Sequence, residues 1–427
     1  MTVIEELAAR AHRAASISDR RARDCATLHT LDAIGCRIVG SSHPLAGQLE
    51  RWLAGDMAGS PWQRFLVGAT LTHVDEFDSI HGPSAVLPCA TVVPVAIEVA
   101  AELGCSGRQV IDAVLAGSEV CIEASVRFGG PELYARGWWP TALFGGLGAA
   151  AATSILLGLS EADTTTALAL AASSLGGLLS EDSLGAGHYL LVGRAAADGV
   201  GAAFAARAGL TASLSLLDGP AAAALQSAAR GATPGEGAQL LAADFKLYPC
   251  ARPLHAVISV LESVAADGVD LSAARLIVVS LPTPVHRFVT TERHPAGPTE
   301  AAASLNCALD AVIAGLARNP DFYRGIRDAV GPPVRLESSA ELDELYPQHW
   351  GASVAIVQPS GEVIGRAALD GPGQYASDSL REDVIAKFRS AADPAVEQLG
   401  EACLEQVLAL DALSDVGVLA TLLRQLS

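Results

Sequence analysis

The segment Thr72–Pro88 concentrates side chains that can transfer protons. It reads T-H-V-D-E-F-D-S-I-H-G-P-S-A-V-L-P and contains two histidines and three carboxylates: His73, His81, Asp75, Glu76 and Asp78. Long Ala- and Leu-rich stretches with few charges flank it. Charged groups set among apolar helices cost free energy unless they are paired. The segment is therefore either a polar loop at the end of a helix or a site where imidazole and carboxylate act as general acid and base.

The composition limits the classes of partner. The chain has 427 residues, of which 50% are hydrophobic and 18% are charged, and its formal net charge is −19. Nucleic acid and anionic membrane surfaces are poor partners for so acidic a protein, and we expect neither. An anionic substrate would need cations concentrated at its site. The eight cysteines form no C-x-x-C pair, which argues against a zinc site and a disulfide framework.

The sequence gives no indication of secretion or membrane insertion. The first 23 residues lack the apolar core of a secretion signal. Thr141–Leu159 comes closest to a membrane span, but it is rich in Gly and Ala, which favours a tightly packed pair of buried helices. We therefore expect a cytoplasmic protein.

The elements that must position the polar segment read as helices from about residue 4 to residue 206. Apolar residues recur at intervals of three and four, and Gly, Pro and Ser mark the breaks. Two predicted core helices and two predicted N-cap residues are Leu28–Val39, Pro94–Leu103, Ser106 and Ser160.

The pattern changes beyond Lys246. Arg275–Leu281 is a β-branched run, and Ser353–Arg366 predicts a hairpin that turns at residues 359–361. Helical patterns lie between them, at Glu300–Ala317 and Ala340–Leu345, and return after Ser377. We predict a mainly α protein with a large all-helical domain (1–248 and 377–427) and a smaller inserted α+β lid domain (249–376). A small-molecule site is expected in the cleft between them.

Five segments then carry glycine, proline and ionisable residues in a set order. They are L-D-A-I-G (Leu31–Gly35), the polar segment itself, R-G-W-W-P-T-A-L-F-G-G-L-G-A-A (Arg136–Ala150), G-R-A-A-A-D-G-V-G-A-A-F-A-A-R-A-G (Gly193–Gly209) and F-K-L-Y-P-C-A-R-P-L-H (Phe245–His255). Together they resemble the motifs of the MmgE/PrpD family, which includes 2-methylcitrate dehydratase, cis-aconitate decarboxylase and iminodisuccinate epimerase. The resemblance covers most of the chain. It implies a helical domain with an α+β lid, chemistry that needs no cofactor, and a homodimer.

The resemblance also implies roles for individual residues. His81 matches the histidine before the Pro-Ser turn and is the expected principal acid/base, with Glu76 or Asp78 as its partner. Lys246 and His255 are the expected substrate clamps on the lid.

Further residues are expected to contact substrate. Tyr248 completes the lid motif, and Thr141 lies in the W-P-T element. Tyr134 lies on a predicted loop near the cleft that could carry it inward.

The chain departs from the family pattern at three positions. Where the family has G-W-H-P-T, this chain has Trp139 in place of the histidine. In the element usually written A-K-x-L-H-x-G-R-A-A, His188 replaces the lysine and Leu191 replaces the histidine. An indole carries no positive charge, so we expect a smaller or less charged substrate than a tricarboxylate. A cationic or apolar part of the substrate would meet Trp139.

These observations predict a lyase that acts on a small carboxylate by proton abstraction, with dehydration or decarboxylation. His188 would be a second titrating group. One alternative is an epimerase or isomerase, in which His81 and His188 exchange a proton at one carbon. Another is a binding protein that kept the fold without catalysis. For His73 we favour a structural role at a helix end, and Asp75 is expected to face water.

Overall fold

The computed structural model describes residues 1–54, 60–179, 187–225, 237–390 and 397–425. Within these ranges the chain is mostly helical. The helices are α1 Val3–Ala15, α2 Arg20–Ser41, α3 Pro44–Leu53, α4 Pro61–His73, α5 Pro88–Leu103, α6 Gly107–Arg127, α7 Glu132–Ala135, α8 Pro140–Leu156, α9 Glu161–Ala172, α10 Gly187–Arg207, α11 Pro220–Ala223, α12 Leu254–Ala266, α13 Pro298–Ala303, α14 Leu305–Ile313, α15 Pro320–Arg324, α16 Ala340–Leu345, α17 Leu380–Ser390, α18 Glu397–Leu408 and α19 Gly417–Gln425. The strands are β1 Leu276–Leu281, β2 Val334–Ser338, β3 Ala352–Val357 and β4 Val363–Ala368.

Local chemistry explains where several helices begin. Ser106 caps α6 and forms a reciprocal capping box with Gln109, and the Ser160 side chain accepts from the backbone N–H of Asp163 at the start of α9. Both N-caps were predicted. Proline occupies the first turn of α4 and α8, where its missing N–H leaves no donor unpaired.

Helix α8 lies at the centre of the helical body. It packs against α5, α6 and α10, and of its residues only Ile155 is not buried. The prediction of a buried helix pair over this stretch was wrong, because the glycines do not break the helix but let its neighbours approach. A Cβ added at Gly117 of α6 would lie 2.6 Å from the carbonyl oxygen of Gly148. No helix in the described ranges has the length and hydropathy needed to cross a membrane.

The four strands form one mixed sheet in the order β2-β1-β3-β4. Strand β1 runs parallel to β2 and antiparallel to β3, and β3 pairs with β4 in the predicted hairpin. Gly361 makes that turn with φ +89, a conformation that glycine adopts without strain. The predicted helix Glu300–Ala317 is interrupted at Ser304, whose extended backbone ends α13 and whose side chain caps α14.

Buried apolar residues divide along the chain much as the sequence suggests. One cluster comprises residues between Tyr248 and Ile356 only. Another joins α2, α4 and α5 to the C-terminal helices through Leu380, Phe388 and Leu404. The chain after the sheet therefore returns to the helical body. The domain boundaries, and the description of the sheet-bearing part as a lid, stay predictions.

Candidate active site

The polar segment forms a tight turn after α4. His73 is the last residue of the helix, and Glu76 follows with φ +53, a left-handed conformation that is costly for a residue with a side chain. The turn directs the Glu76 carboxylate back towards the imidazole of His73, so that the His73 Nε2 atom lies 3.6 Å from Glu76 Oε1.

Two distant cations hold this turn. The Arg324 guanidinium of α15 forms a two-pronged pair with Asp75 (Nε–Oδ1 2.8 Å and Nη2–Oδ2 2.6 Å) and also donates to the Val39 carbonyl. Lys387 of α17 donates to the carbonyl oxygen of Phe77 at 2.6 Å. Asp75 is only 7% exposed, so the expectation that it faces water was wrong. The surrounding structure thus over-determines the turn and offsets its backbone strain.

Two further segments bring side chains to Glu76. Helix α10 begins at Gly187 and places His188 Nε2 3.4 Å from Glu76 Oε1. A short antiparallel bridge between Ile80 and Asp244 fixes the chain that leads to Lys246. The Lys246 Nζ atom lies 3.0 Å from Glu76 Oε2. Residues 112 and 170 positions away in sequence therefore meet one carboxylate.

Charge pairing controls protonation in this cluster. Burial opposes ionisation of Glu76, but Lys246, His73 and His188 together hold its pKa well below the usual range. For His73, burial would lower the pKa, but the carboxylates of Asp78 and Glu76 outweigh burial and raise it. The His73 Nδ1 atom is 2.8 Å from Asp78 Oδ1, and this hydrogen bond orients the ring. Only its Nε2 side is left to face Glu76 and the cavity.

A cavity of about 100 Å³ opens beside the cluster. His73, Glu76, His188 and Lys246 all contribute to its wall, which is otherwise mainly apolar and aromatic; further lining residues include Tyr134, Trp139, Leu179, Phe288 and Trp350. The Trp139 ring centroid lies 5.2 Å from that of His188 and 5.3 Å from that of His73. The indole thus walls the histidine pair with an apolar face and adds no charge.

Sequence reasoning missed Arg252, a second cation at the cavity wall. Its side chain is buried and one Nη2–H is paired with Asp244. The Nε and Nη1 atoms of the same guanidinium have no hydrogen-bond partner in the described part of the chain. Buried donors without partners are rare in proteins, and a guanidinium fork matches a carboxylate. The sequence signal was its place six residues after Lys246.

The structure brings Glu76, His188, Lys246, Trp139 and Tyr134 to the cavity, as the sequence analysis predicted. Asp78 reaches it through His73. The structural role favoured for His73 is corrected, because the turn at Glu76 folds the acid back over the imidazole instead of leaving it at a helix end.

Four other predicted site residues do not belong to the described wall of the cavity: His81, His255, Tyr248 and Thr141. The Nδ1 atom of His81 accepts from the backbone N–H of Ser84 and lies 2.7 Å from its Oγ. Burial lowers the pKa of His81 to about 4. The imidazole is therefore neutral and engaged in a turn.

The other three have structural partners. His255 is buried, with Nε2 3.4 Å from the Cys250 carbonyl oxygen, and burial together with nearby cations holds its pKa well below the usual range. Tyr248 donates to Glu262 (2.6 Å), and Thr141 Oγ1 accepts from the backbone N–H of Leu87 (3.1 Å). We give none of the four a part in the chemistry proposed below.

The same cluster contains groups that metals bind. One ligand atom from each of His73, Glu76 and His188 lies within 4.8 Å of the other two. Two imidazoles and a carboxylate are a ligand set that divalent transition metals accept.

Comparison with known proteins gives two matches. The family model for the MmgE/PrpD N-terminal domain matches residues 5–234. A cis-aconitate decarboxylase-like protein, oryM, of Aspergillus oryzae is 28% identical to this chain, over an alignment that covers 60% of this chain and 61% of that protein. The match therefore spans less than two thirds of the relative. The family model includes His73, Glu76 and His188 but ends before Lys246 and Arg252.

Proposed function

Because the chain belongs to the MmgE/PrpD family, we propose that it is a lyase that removes CO₂ or water from a small carboxylate, with His73 as the group that transfers the proton. One observation carries the proposal. The His73 imidazole, oriented by Asp78, faces a cavity whose wall also contains Lys246 and Arg252. The family supports dehydratase or decarboxylase chemistry at this coarse level, and the decarboxylase-like relative agrees with it.

Substrate binding follows from the two cations. The open Nε–H and Nη1–H of Arg252 would take one substrate carboxylate in a bidentate contact. Lys246 already pairs with Glu76, and its remaining ammonium protons would contact a second carboxylate or an enolate oxygen. The walls formed by Trp139 and Tyr134 favour a short apolar carbon skeleton. A small mono- or dicarboxylate fits this set better than a tricarboxylate.

Decarboxylation is the reaction that the electrostatics favour. The bond from carbon to the leaving carboxylate breaks, CO₂ departs, and the electron pair stays on carbon, delocalised towards the carboxylate held by the cations. The His73 imidazolium then donates its Nε2 proton to that carbon and recovers a proton from solvent. The flanking carboxylates of Asp78 and Glu76 stabilise the imidazolium that this step requires.

A second candidate is proton exchange at a carbon beside a carboxylate, as in an epimerase. The His73 and His188 ring centroids are 5.9 Å apart at the same cavity, so one could remove a proton while the other returns one. Both chemistries use His73, and their products distinguish them.

The test is an NMR screen of small mono- and dicarboxylates in deuterated buffer. Decarboxylation would release CO₂ and leave one deuterium on the carbon that lost it, whereas exchange without loss of CO₂ or water would favour the epimerase. His73→Asn keeps a donor to Asp78 but lacks the Nε2 proton, and we expect its rate to fall by about 10²–10⁴-fold. His294→Asn is the matched control, because His294 is exposed and pairs only with exposed Asp328. A His73→Asn enzyme with the unaltered rate would refute the proposal.

A further inference from the structure

We infer that His73, Glu76 and His188 form a binding site for one divalent transition-metal ion, such as Zn²⁺, and that its binding blocks proton transfer by His73. The binding half of this inference stands on geometry alone. Only the effect on turnover rests on the function proposed above.

The distances between the three groups suit a tetrahedral ion. Ligand atoms about 2.0–2.1 Å from zinc lie about 3.3 Å apart in that geometry. Glu76 Oε1 is 3.6 Å from His73 Nε2 and 3.4 Å from His188 Nε2, and all three ligand atoms lie within 4.8 Å of one another. Small side-chain rotations would therefore place an ion among them, with the fourth position open to the cavity.

An independent observation points to the same spot. His73 is 1% exposed, and its Nε2 atom has no hydrogen-bond partner among the described residues. Its Nδ1 atom is hydrogen-bonded to Asp78. A carboxylate that orients the remote nitrogen of an imidazole is the usual outer support of a metal-bound histidine. Asp78 thus serves the imidazole either as a proton donor or as a metal ligand.

The local charges allow a cation to bind. The carboxylates of Glu76 and Asp78 contribute two negative charges, and Lys246 contributes one positive charge through Glu76 Oε2. The ion would use the other oxygen, Oε1, so Lys246 need not be displaced. The ammonium still repels the ion, and we expect micromolar rather than nanomolar binding of Zn²⁺.

The site depends on a residue type that sets this chain apart. Position 188 corresponds to a lysine in the family motif given above, and an ammonium has no lone pair for a metal. His188 supplies the second imidazole. A His188→Lys variant would therefore remove the metal site while keeping an ionisable group at that position.

Binding and catalysis exclude each other at one atom. The Nε2 atom of His73 cannot hold a metal and donate a proton at the same time. Zn²⁺ should therefore inhibit turnover, and a chelator should restore it, because the ion occupies the group that performs the reaction.

The experiment uses the full chain, freed of metal by dialysis against a chelator and titrated with Co²⁺ and, separately, with Zn²⁺. We expect one equivalent of Co²⁺ to give visible d–d absorption bands of a low-coordinate site, and calorimetry to show one Zn²⁺ bound. His73→Asn, His188→Asn and His188→Lys should each weaken binding by about 100-fold or more, and His294→Asn should not change it. Circular dichroism of each variant checks that it folds.

Several results would overturn the inference. One is no Zn²⁺ binding stronger than about 1 mM. Another is unchanged Co²⁺ spectra in the His73 and His188 variants, and a third is stimulation by Zn²⁺ instead of inhibition. A metal-free enzyme that turns over substrate but binds no Zn²⁺ refutes this inference and leaves the proposed lyase intact. An enzyme that binds Zn²⁺ but shows no His73-dependent turnover does the reverse.

Discussion

The ammonium of Lys246 lies 3.0 Å from the Glu76 carboxylate, although 170 residues separate them in sequence. The side chains are 2% and 19% exposed, so the pair is largely shielded from water. Removing one partner of a buried pair leaves a buried charge without compensation. Glu76 also keeps its depressed pKa mainly because of Lys246.

Lys246→Met should therefore lower the free energy of unfolding by about 3–5 kcal/mol. The double variant Glu76→Gln/Lys246→Met should recover much of that loss, because it removes both charges. Urea denaturation of the two single variants and the double variant measures this coupling. Additive losses in the three variants would show that the two groups do not interact.

Arg252 provides a test of substrate recognition that leaves its ion pair intact. Arg252→Lys keeps a cation for Asp244 but loses the two unpartnered donors of the guanidinium fork. We expect KM for the carboxylate substrate to rise about 10–100-fold, the equivalent of a charged hydrogen bond worth about 1.5–3 kcal/mol. We expect kcat to change little. Steady-state kinetics measures both, and an unchanged KM would show that the fork does not hold the carboxylate.

The sequence allowed the local features of this fold and part of the site to be predicted. The N-caps at Ser106 and Ser160 depend on chemistry within three residues, and the β3–β4 hairpin depends on its own turn. His188 and Lys246 were found because they lie in motifs. Strand β2 (Val334–Ser338) was missed because its residues are exposed or half-buried and lack an apolar alternation.

The remaining site residues depend on contacts that are remote in sequence. The role of His73 follows from the left-handed turn at Glu76, which no residue type announces. The open donors of Arg252 follow from burial and from Asp244 pairing with only one of its nitrogens. His81 carries the stronger motif, but its hydrogen bonds with Ser84 turn it to a structural use.

Asp78 acts on substrate only through His73, and a double-variant cycle shows this. Asp78→Asn should lower kcat about 10–100-fold with little change in KM, because the imidazole loses its orientation and the charge that stabilises its protonated form. In the His73→Asn background the same substitution should have no further effect on kcat. A purely structural Asp78 would lower kcat in both backgrounds, and that result would contradict the positioning role.

The Arg324–Asp75 pair should contribute to stability because it is 10% and 7% exposed and two-pronged. Arg324→Lys loses the planar fork, and we expect the free energy of unfolding to fall by about 1.5–3 kcal/mol. The exposed pair Arg335–Glu337 is the matched control. Arg335→Lys should change stability by less than about 0.5 kcal/mol. Equal effects of the two substitutions in urea denaturation would show that burial of Asp75 does not matter.

The buried imidazole of His81 should make the fold sensitive to acid. Its pKa is lowered from 6.5 to about 4 by burial, so the unfolded chain binds a proton in this range and the folded chain does not. Stability from this group is complete above pH 6.5 and is lost as the pH falls towards 4. A shift of about 2.5 units corresponds to about 3 kcal/mol.

The variant His81→Asn isolates this contribution. Its amide oxygen can still accept from Ser84, but it does not titrate. The difference in unfolding free energy between the natural chain and His81→Asn should therefore shrink, or change sign, by about 3 kcal/mol between pH 7 and pH 4. Urea denaturation at both pH values measures this difference, in which titrations common to both proteins cancel. A difference that is constant with pH would mean that the His81 imidazole takes up a proton in the folded state as readily as in the unfolded chain.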